Sequence, residues 1–193
     1  MEVVAYQVKV KLMDIKPVIW RRLVVPAGIT FYKFHKVLQA AFGWQDYHLY
    51  SFEFESDTIM EPDPDFAPGE FSGRKEWNSK RTRIDDWLKV GVKFGYTYDF
   101  GDNWEHEIVV EKRLTGEERL PYAVCLDGAR HRPPEDVGGV PGYEDFLAII
   151  KNPRDDEYEE MLAWAEKDTD GRKFDPAYFY LPETNRLLAR VKC

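Results

Sequence analysis

A chain of 193 residues with 44% hydrophobic and 15% aromatic side chains can bury a sizeable core, which excludes global disorder. A formal charge of −8 argues against one dominant basic footprint of the kind duplex DNA requires, and no run approaches the ~20 apolar residues of a membrane helix. Two cysteines, Cys125 and Cys193, supply neither a disulfide framework nor metal-ligand spacing.

From the N-terminus, Val4, Tyr6, Val8, Val10 and Leu12 alternate with Gln7, Lys9 and Lys11. That period predicts a half-buried strand over 3–12 and not a signal peptide, so the cytoplasm is the expected compartment. After a turn at DIKP, VIWRRLVV (18–25) predicts a second strand. Thr30 can cap a helix with the apolar stripe Phe31, Phe34, Leu38 and Phe42, and Gly43 fits its stop. YHLYSFEFE (47–55) predicts a third strand, with His48, Tyr50, Phe52 and Phe54 on one face. Residues 56–80 have no period and hold Pro62, Pro64 and Pro68, so they predict a long loop insertion. A helical turn in IDDWLKVG precedes strands at KFGYTYDF and WEHEIVVEKRL. Residues 115–141 are turn-rich, and helices follow in YEDFLAIIK, DDEYEEMLAWAEK and PETNRLLARV. Strands first and helices last predict an α+β fold.

Charge is unevenly placed. Residues 41–73 carry eight acids and no base, so a basic surface requires Lys9, Lys11, Lys16, Arg21 and Arg22 to meet Arg74, Lys75, Lys80, Arg81 and Arg83 in space. Mutual neutralisation of acidic and basic segments is the expectation.

The stretch YDFGDNWEH (98–106) concentrates acids, aromatics and a histidine around one glycine. Matching the apolar faces suggests a hairpin with Phe100 opposite Trp104, Tyr98 opposite His106 and a loop of Gly101, Asp102 and Asn103, with Asn103 left-handed. Phe100 and Trp104 are then packing anchors. Asp99 opposes Glu105, and that repulsion calls for a cation between them: an arginine from Arg21, Arg22, Arg81 or Arg83, or a metal ion. Asp99 and His106 leave this hairpin on opposite faces.

His35, His48 and His106 fall on apolar faces, where a buried histidine satisfied by one hydrogen bond is the plain expectation; convergence of two or three would make a metal or acid–base site. No HExxH, CxxC, GxSxG, phosphate-loop or dinucleotide fingerprint occurs. PPEDVGG sets Glu135 and Asp136 between two prolines and two glycines, a frame that can hold carboxylates at a ligand or let Asp136 bond nearby amides and fix a turn.

Four stretches in order, IWRRLVVP, FHKVLQAAFGWQDYHLYSFEF, YTYDFGDNWEHEIVVE and PPEDVGGVPGYEDFL, resemble the pRi-plasmid ORF-three-like family from about residue 5 to about residue 190. Many members read ACPPEDCGG where this chain reads HRPPEDVGG, with His131-Arg132 before the prolines and Val137 in place of cysteine, which weighs against thiol chemistry here. The resemblance implies one α+β domain over 1–193 with a mixed or antiparallel curved sheet of about five or more strands, helices packed on it and a helix-rich C-terminal half. It implies no activity, although some members carry mobile-element labels.

The leading expectation is a non-catalytic binding or interaction module with no cofactor and no membrane, its partner a protein or, through the mobile-element association, a nucleic acid. Candidate ligand-binding residues are Trp20, Arg21, Arg22, Trp44, His48, Tyr98, Asp99, Asp102, Trp104, Glu105, His106, Glu135 and Asp136. The alternative is a metal-assisted hydrolase, with His48, His106, Asp99 and Asp102 as catalytic candidates alongside Glu135 and Asp136.

Overall fold

The computed structural model describes residues 2–62, 73–118, 120–169 and 171–193. Strands β1 (Glu2–Leu12) and β2 (Trp20–Pro26) precede helix α1 (Phe31–Phe42). Strands β3 (Tyr50–Glu53), β4 (Asp57–Met60), β5 (Lys75–Asn78), β6 (Lys93–Tyr98), β7 (Trp104–Gly116) and β8 (Val124–Ala129) follow, and then helices α2 (Gly139–Lys151), α3 (Tyr158–Asp168) and α4 (Leu181–Leu188). The strands form one mixed sheet in the order β5-β4-β3-β6-β7-β1-β2-β8. Every neighbouring pair is antiparallel except β4 with β5. The α+β arrangement expected from the sequence is therefore present.

One face of the sheet makes the core. Val8, Val10 and Leu12 of β1 and Trp104, Ile108 and Val110 of β7 are buried by the period-two alternation. Helix α1 lies against them with Phe31, Phe34, Val37 and Leu38. Thr30 accepts a hydrogen bond from the Lys33 amide, and Gly43 ends the helix at φ 83°. Only a residue at ease in the left-handed region closes a helix this way. The opposite face carries paired charges: Lys11 with Glu107 at 2.9 Å and Arg22 with Glu111 at 2.8 Å. Neutralisation within the sheet thus consumes part of the basic N-terminal segment. Among the described residues, no helix is long and apolar enough to cross a membrane.

Three expectations need correction. Residues 56–80 are not wholly a loop, because β4 and β5 lie within them, though 63–72 fall outside the described residues. The turn-rich stretch contains β8. The hairpin register differs by two residues: Tyr98 opposes Trp104, Tyr96 opposes His106 and Thr97 opposes Glu105. A shift of two keeps every side chain on its face, so the apolar pattern cannot detect it. The connection is the five-residue stretch Asp99 to Asn103, with both ends left-handed at φ 59° and 55°. The Asp99 side chain accepts from the Gly101 amide at 2.9 Å, and the Asn103 amide donates to the Asp99 carbonyl at 2.6 Å. Local turn chemistry of aspartate prevails over continued pairing. Phe100 is therefore lifted to the surface, 37% exposed, and is no core anchor, whereas Trp104 is fully buried.

Candidate functional site

The shifted turn changes the direction of Asp99. A left-handed backbone takes this residue off the strand alternation and buries it, 6% exposed, instead of setting it opposite Glu105. Glu105 stays outside and accepts from the Asn103 side chain at 2.9 Å. Among the described residues, no arginine pairs with either acid. Arg21 points at the carbonyls of Trp20, Ala41, Ala129 and Arg130, and Arg22 pairs with Glu111.

PPEDVGG docks on this same turn. The Gly138 amide donates to Asp102 Oδ2 at 3.1 Å. Gly139, at φ 68°, passes so close that a Cβ there would lie 2.6 Å from the Asp102 carbonyl oxygen. This contact requires glycine at 139, and the left-handed φ of 95° favours it at 138. Asp136 is itself left-handed at φ 56°, so two acids at one spot occupy a backbone region that non-glycine residues rarely adopt.

The docking gathers one histidine and three carboxylates. His48 leads into β3 but precedes the strand, so its ring is free of the sheet's alternation. His48 Nε2 lies 3.1 Å from Asp136 Oδ1, 3.7 Å from Asp99 Oδ2 and 4.0 Å from Glu135 Oε2. None of these approaches is aligned as a hydrogen bond: among the described residues, buried His48 Nε2 and buried Glu135 Oε2 have no hydrogen-bond partner. One ligand atom each from His48, Asp99 and Asp136 lies within 4.8 Å of the others. Donors spaced so can share one ion held at the ~2.0–2.2 Å usual for imidazole and carboxylate.

The cluster is wet on one side and dry on the other. Asp136 is 69% exposed on its side chain, whereas Glu135 is 6% exposed. Burial raises the Glu135 carboxyl above the ordinary carboxylate value, against the opposing pull of the Gln45 amide and Arg132. Glu135 Oε1 is fixed by the Gln45 amide at 2.6 Å and the Tyr98 hydroxyl at 3.3 Å. The amide-binding role expected for Asp136 thus falls to Glu135. Behind it Arg132, 1% exposed, grips the Gly43 carbonyl and makes a bidentate pair with Asp168 at 2.6 and 3.1 Å. Its guanidinium also lies over the Trp44 ring, 4.8 Å from the centroid.

The remaining candidates serve elsewhere. His106 is sealed in the core, with Nδ1 3.1 Å from the Tyr96 carbonyl and 2.9 Å from that of Trp104. Burial lowers its pKa to about 4. Tyr98, Trp44 and Trp104 form an aromatic floor, with Trp44 5.2 Å from Tyr98 and 5.9 Å from Trp104 between ring centroids. Trp20 lies under Lys9, whose Nζ is 4.7 Å from its ring centroid, away from the cluster's elements. Arg132 and Gln45 were not singled out from the sequence; the sole signal was an arginine directly before a proline pair.

Fold and rim together define an α+β protein whose polar residues converge where a loop closes on a hairpin turn. Residues 4–183 match the family described as plasmid pRiA4b ORF-3-like protein, and the chain belongs to that family. An uncharacterised protein of Sinorhizobium fredii, y4hQ, is 37% identical over 161 residues, which cover 82% of this chain and 79% of that one. A crystal structure of MM3350, a protein of unknown function from Methanosarcina mazei, superposes with a TM-score of 0.79 at 34% identity, covering 95% of this chain and 98% of that one.

Proposed function

We propose that this protein is a binding module whose ligand is a divalent transition-metal ion held by His48, Asp99 and Asp136. The carrying observation is the pair of buried, unpartnered atoms His48 Nε2 and Glu135 Oε2, 4.0 Å apart. Leaving such atoms unsatisfied is unfavourable; an ion on His48 Nε2 would satisfy the nitrogen and set a positive charge beside the Glu135 oxygen. One imidazole nitrogen with carboxylate oxygens suits zinc, manganese or iron better than magnesium or calcium, which take all-oxygen sets. The test is thermal melting of chelator-stripped protein titrated with Mn²⁺ or Zn²⁺. The expected result is a saturable rise in Tm at one ion per chain; stabilisation reaches ~2.7 kcal/mol at a hundred times Kd. No rise at millimolar ion would overturn the reading.

A catalytic version is favoured by one further observation. Three protein donors on a half-exposed site leave positions on an ion open, and Glu135 beside them has a raised pKa and a free oxygen. That is the setting of a base in metal-assisted hydrolysis. A panel of phosphate and carboxylate esters, tested with metal-loaded protein, decides it: Glu135→Gln should keep the ion and lose turnover. Absence of turnover leaves the binding reading alone.

A further inference from the structure

A second concavity lies on the other side of Arg132, between the end of α1, the stretch after α3 and helix α4. Its volume is about 480 Å³, within the range of small-molecule sites. Five arginines line it, Arg21, Arg132, Arg172, Arg186 and Arg190, against two acids among the described residues, Asp168 and Glu183. Asp168 is committed to Arg132. Glu183 is shared by Arg172 at 3.1 Å, Arg186 at 3.7 Å and the Tyr178 hydroxyl at 2.7 Å. Among the described residues, three guanidinium charges of this lining are thus left without an acid, in a chain whose net charge is −8.

Arg21 is the unusual member. It is 3% exposed, and its four hydrogen bonds all go to backbone carbonyls. The rings of Phe42 and Phe179 cover its guanidinium, with centroids 5.0 and 4.5 Å away. Burial without an acid lowers its pKa to about 10. A buried cation that no carboxylate balances is unfavourable unless an anion completes the site. Arg186 and Arg190 are exposed, and no hydrogen bond from the Arg190 side chain is made among the described residues. Glu183, Arg186, Leu187 and Arg190 recur at helical spacing and so share one side of α4 and the turn ending it.

The geometry points to a binding site for a small phosphorylated organic molecule, with Arg186 and Arg190 contacting the phosphate and Arg21 supplying positive potential from the wall. Guanidinium forks match phosphate oxygens two at a time, and a phosphate ester's double charge suits three unbalanced arginines better than a monocarboxylate does. The site is separate from the cation cluster and does not rest on it.

The test is calorimetric titration of the full chain at constant ionic strength with ribose 5-phosphate, adenosine 5′-monophosphate and inorganic phosphate, and with ribose and adenosine as uncharged controls. Saturable binding of at least one phosphate ester is expected, with none for the controls. An Arg186→Ala/Arg190→Ala double variant, which changes two exposed side chains, should weaken it about tenfold or more. Asp99→Asn should bind the ester as the unmodified protein does. Binding of inorganic phosphate alone would assign the pocket to the free anion and overturn the organic-ligand assignment. No binding beyond matched chloride, or a double variant that binds unchanged, would overturn the site altogether.

Discussion

His106 and His48 flank the same hairpin and have opposite surroundings. The His106 ring is enclosed by Phe42, Trp44 and Tyr96, with centroids 5.0, 6.4 and 5.2 Å away, and its Nδ1 is spent on backbone carbonyls. The His48 ring is 27% exposed and faces three carboxylates, two of them buried. Aromatic neighbours exclude water and keep the first imidazole neutral. Carboxylates face the second, and the charge of Arg132 acts on Glu135 from behind through space. Both rings have an unpartnered buried Nε2, so an orphaned nitrogen alone does not mark a site. What separates them is an unpartnered carboxylate oxygen facing the same point.

The largest expected effect belongs to the dry patch. Trp104→Ala removes a fully buried indole against Trp44 and Tyr143 and should destabilise by ~3–5 kcal/mol, measured by denaturant unfolding. Phe100→Ala, three positions before the turn's end and partly exposed, should lie under ~1 kcal/mol. Equal losses would erase the distinction between turn and core. Next comes acid. The His106 pKa falls from 6.5 to about 4 through burial, so its stabilising contribution is present above pH 6.5 and is lost as pH falls toward 4. A shift of that size is worth about 3 kcal/mol. His131, also lowered to about 4, titrates over the same window. Unfolding midpoints measured from pH 7 to 4 should show this fall, and His106→Gln should flatten it in part.

Smaller effects sharpen the wet patch. The raised Glu135 carboxyl means that the metal-free fold is favoured at low pH and loses that advantage as pH rises through the folded pKa. Glu135→Gln should therefore raise the melting temperature at pH 7, with the gain vanishing below pH ~4, where the unfolded carboxyl is protonated as well. A loss at pH 7 would mean that Glu135 is held as a needed anion. Smallest is Asp99→Asn in stripped protein. Asparagine tolerates the left-handed backbone and keeps an oxygen for the Gly101 amide, so stability should move by no more than ~0.5 kcal/mol. The same variant should lose the metal-induced rise in Tm.

Much of this contrast was hidden in the amino-acid sequence for a definable reason. Helix α1, its Thr30 cap and its Gly43 stop follow from local rules and are as expected. So are the buried faces of β6 and β7, because alternation fixes them. The hairpin's register is not fixed by alternation, and the two-residue error placed Asp99 outside and Phe100 inside. Strands β4 and β5, four residues each at one sheet edge, are too short to show a period and lie beside a proline-rich stretch. Glu135 and Asp136 were recognisable as a rigid acidic frame. That the frame closes on the turn at Asp102, some 36 positions away, depends on long-range contacts such as the Gly138 amide bond. The convergence of His48 with Asp99 and Asp136 is a product of that docking and has no local signature.

The central claim is that the His48–Asp99–Asp136 rim holds a divalent ion while the neighbouring histidine core does not. Anomalous scattering from crystals of the protein grown with Mn²⁺ or Zn²⁺ addresses it most directly. One peak is expected within ~2.0–2.3 Å of His48 Nε2 and of an oxygen from both Asp99 and Asp136, with nothing at His106. A rim without a peak at millimolar ion, or an ion bound elsewhere on the chain in its place, would contradict it.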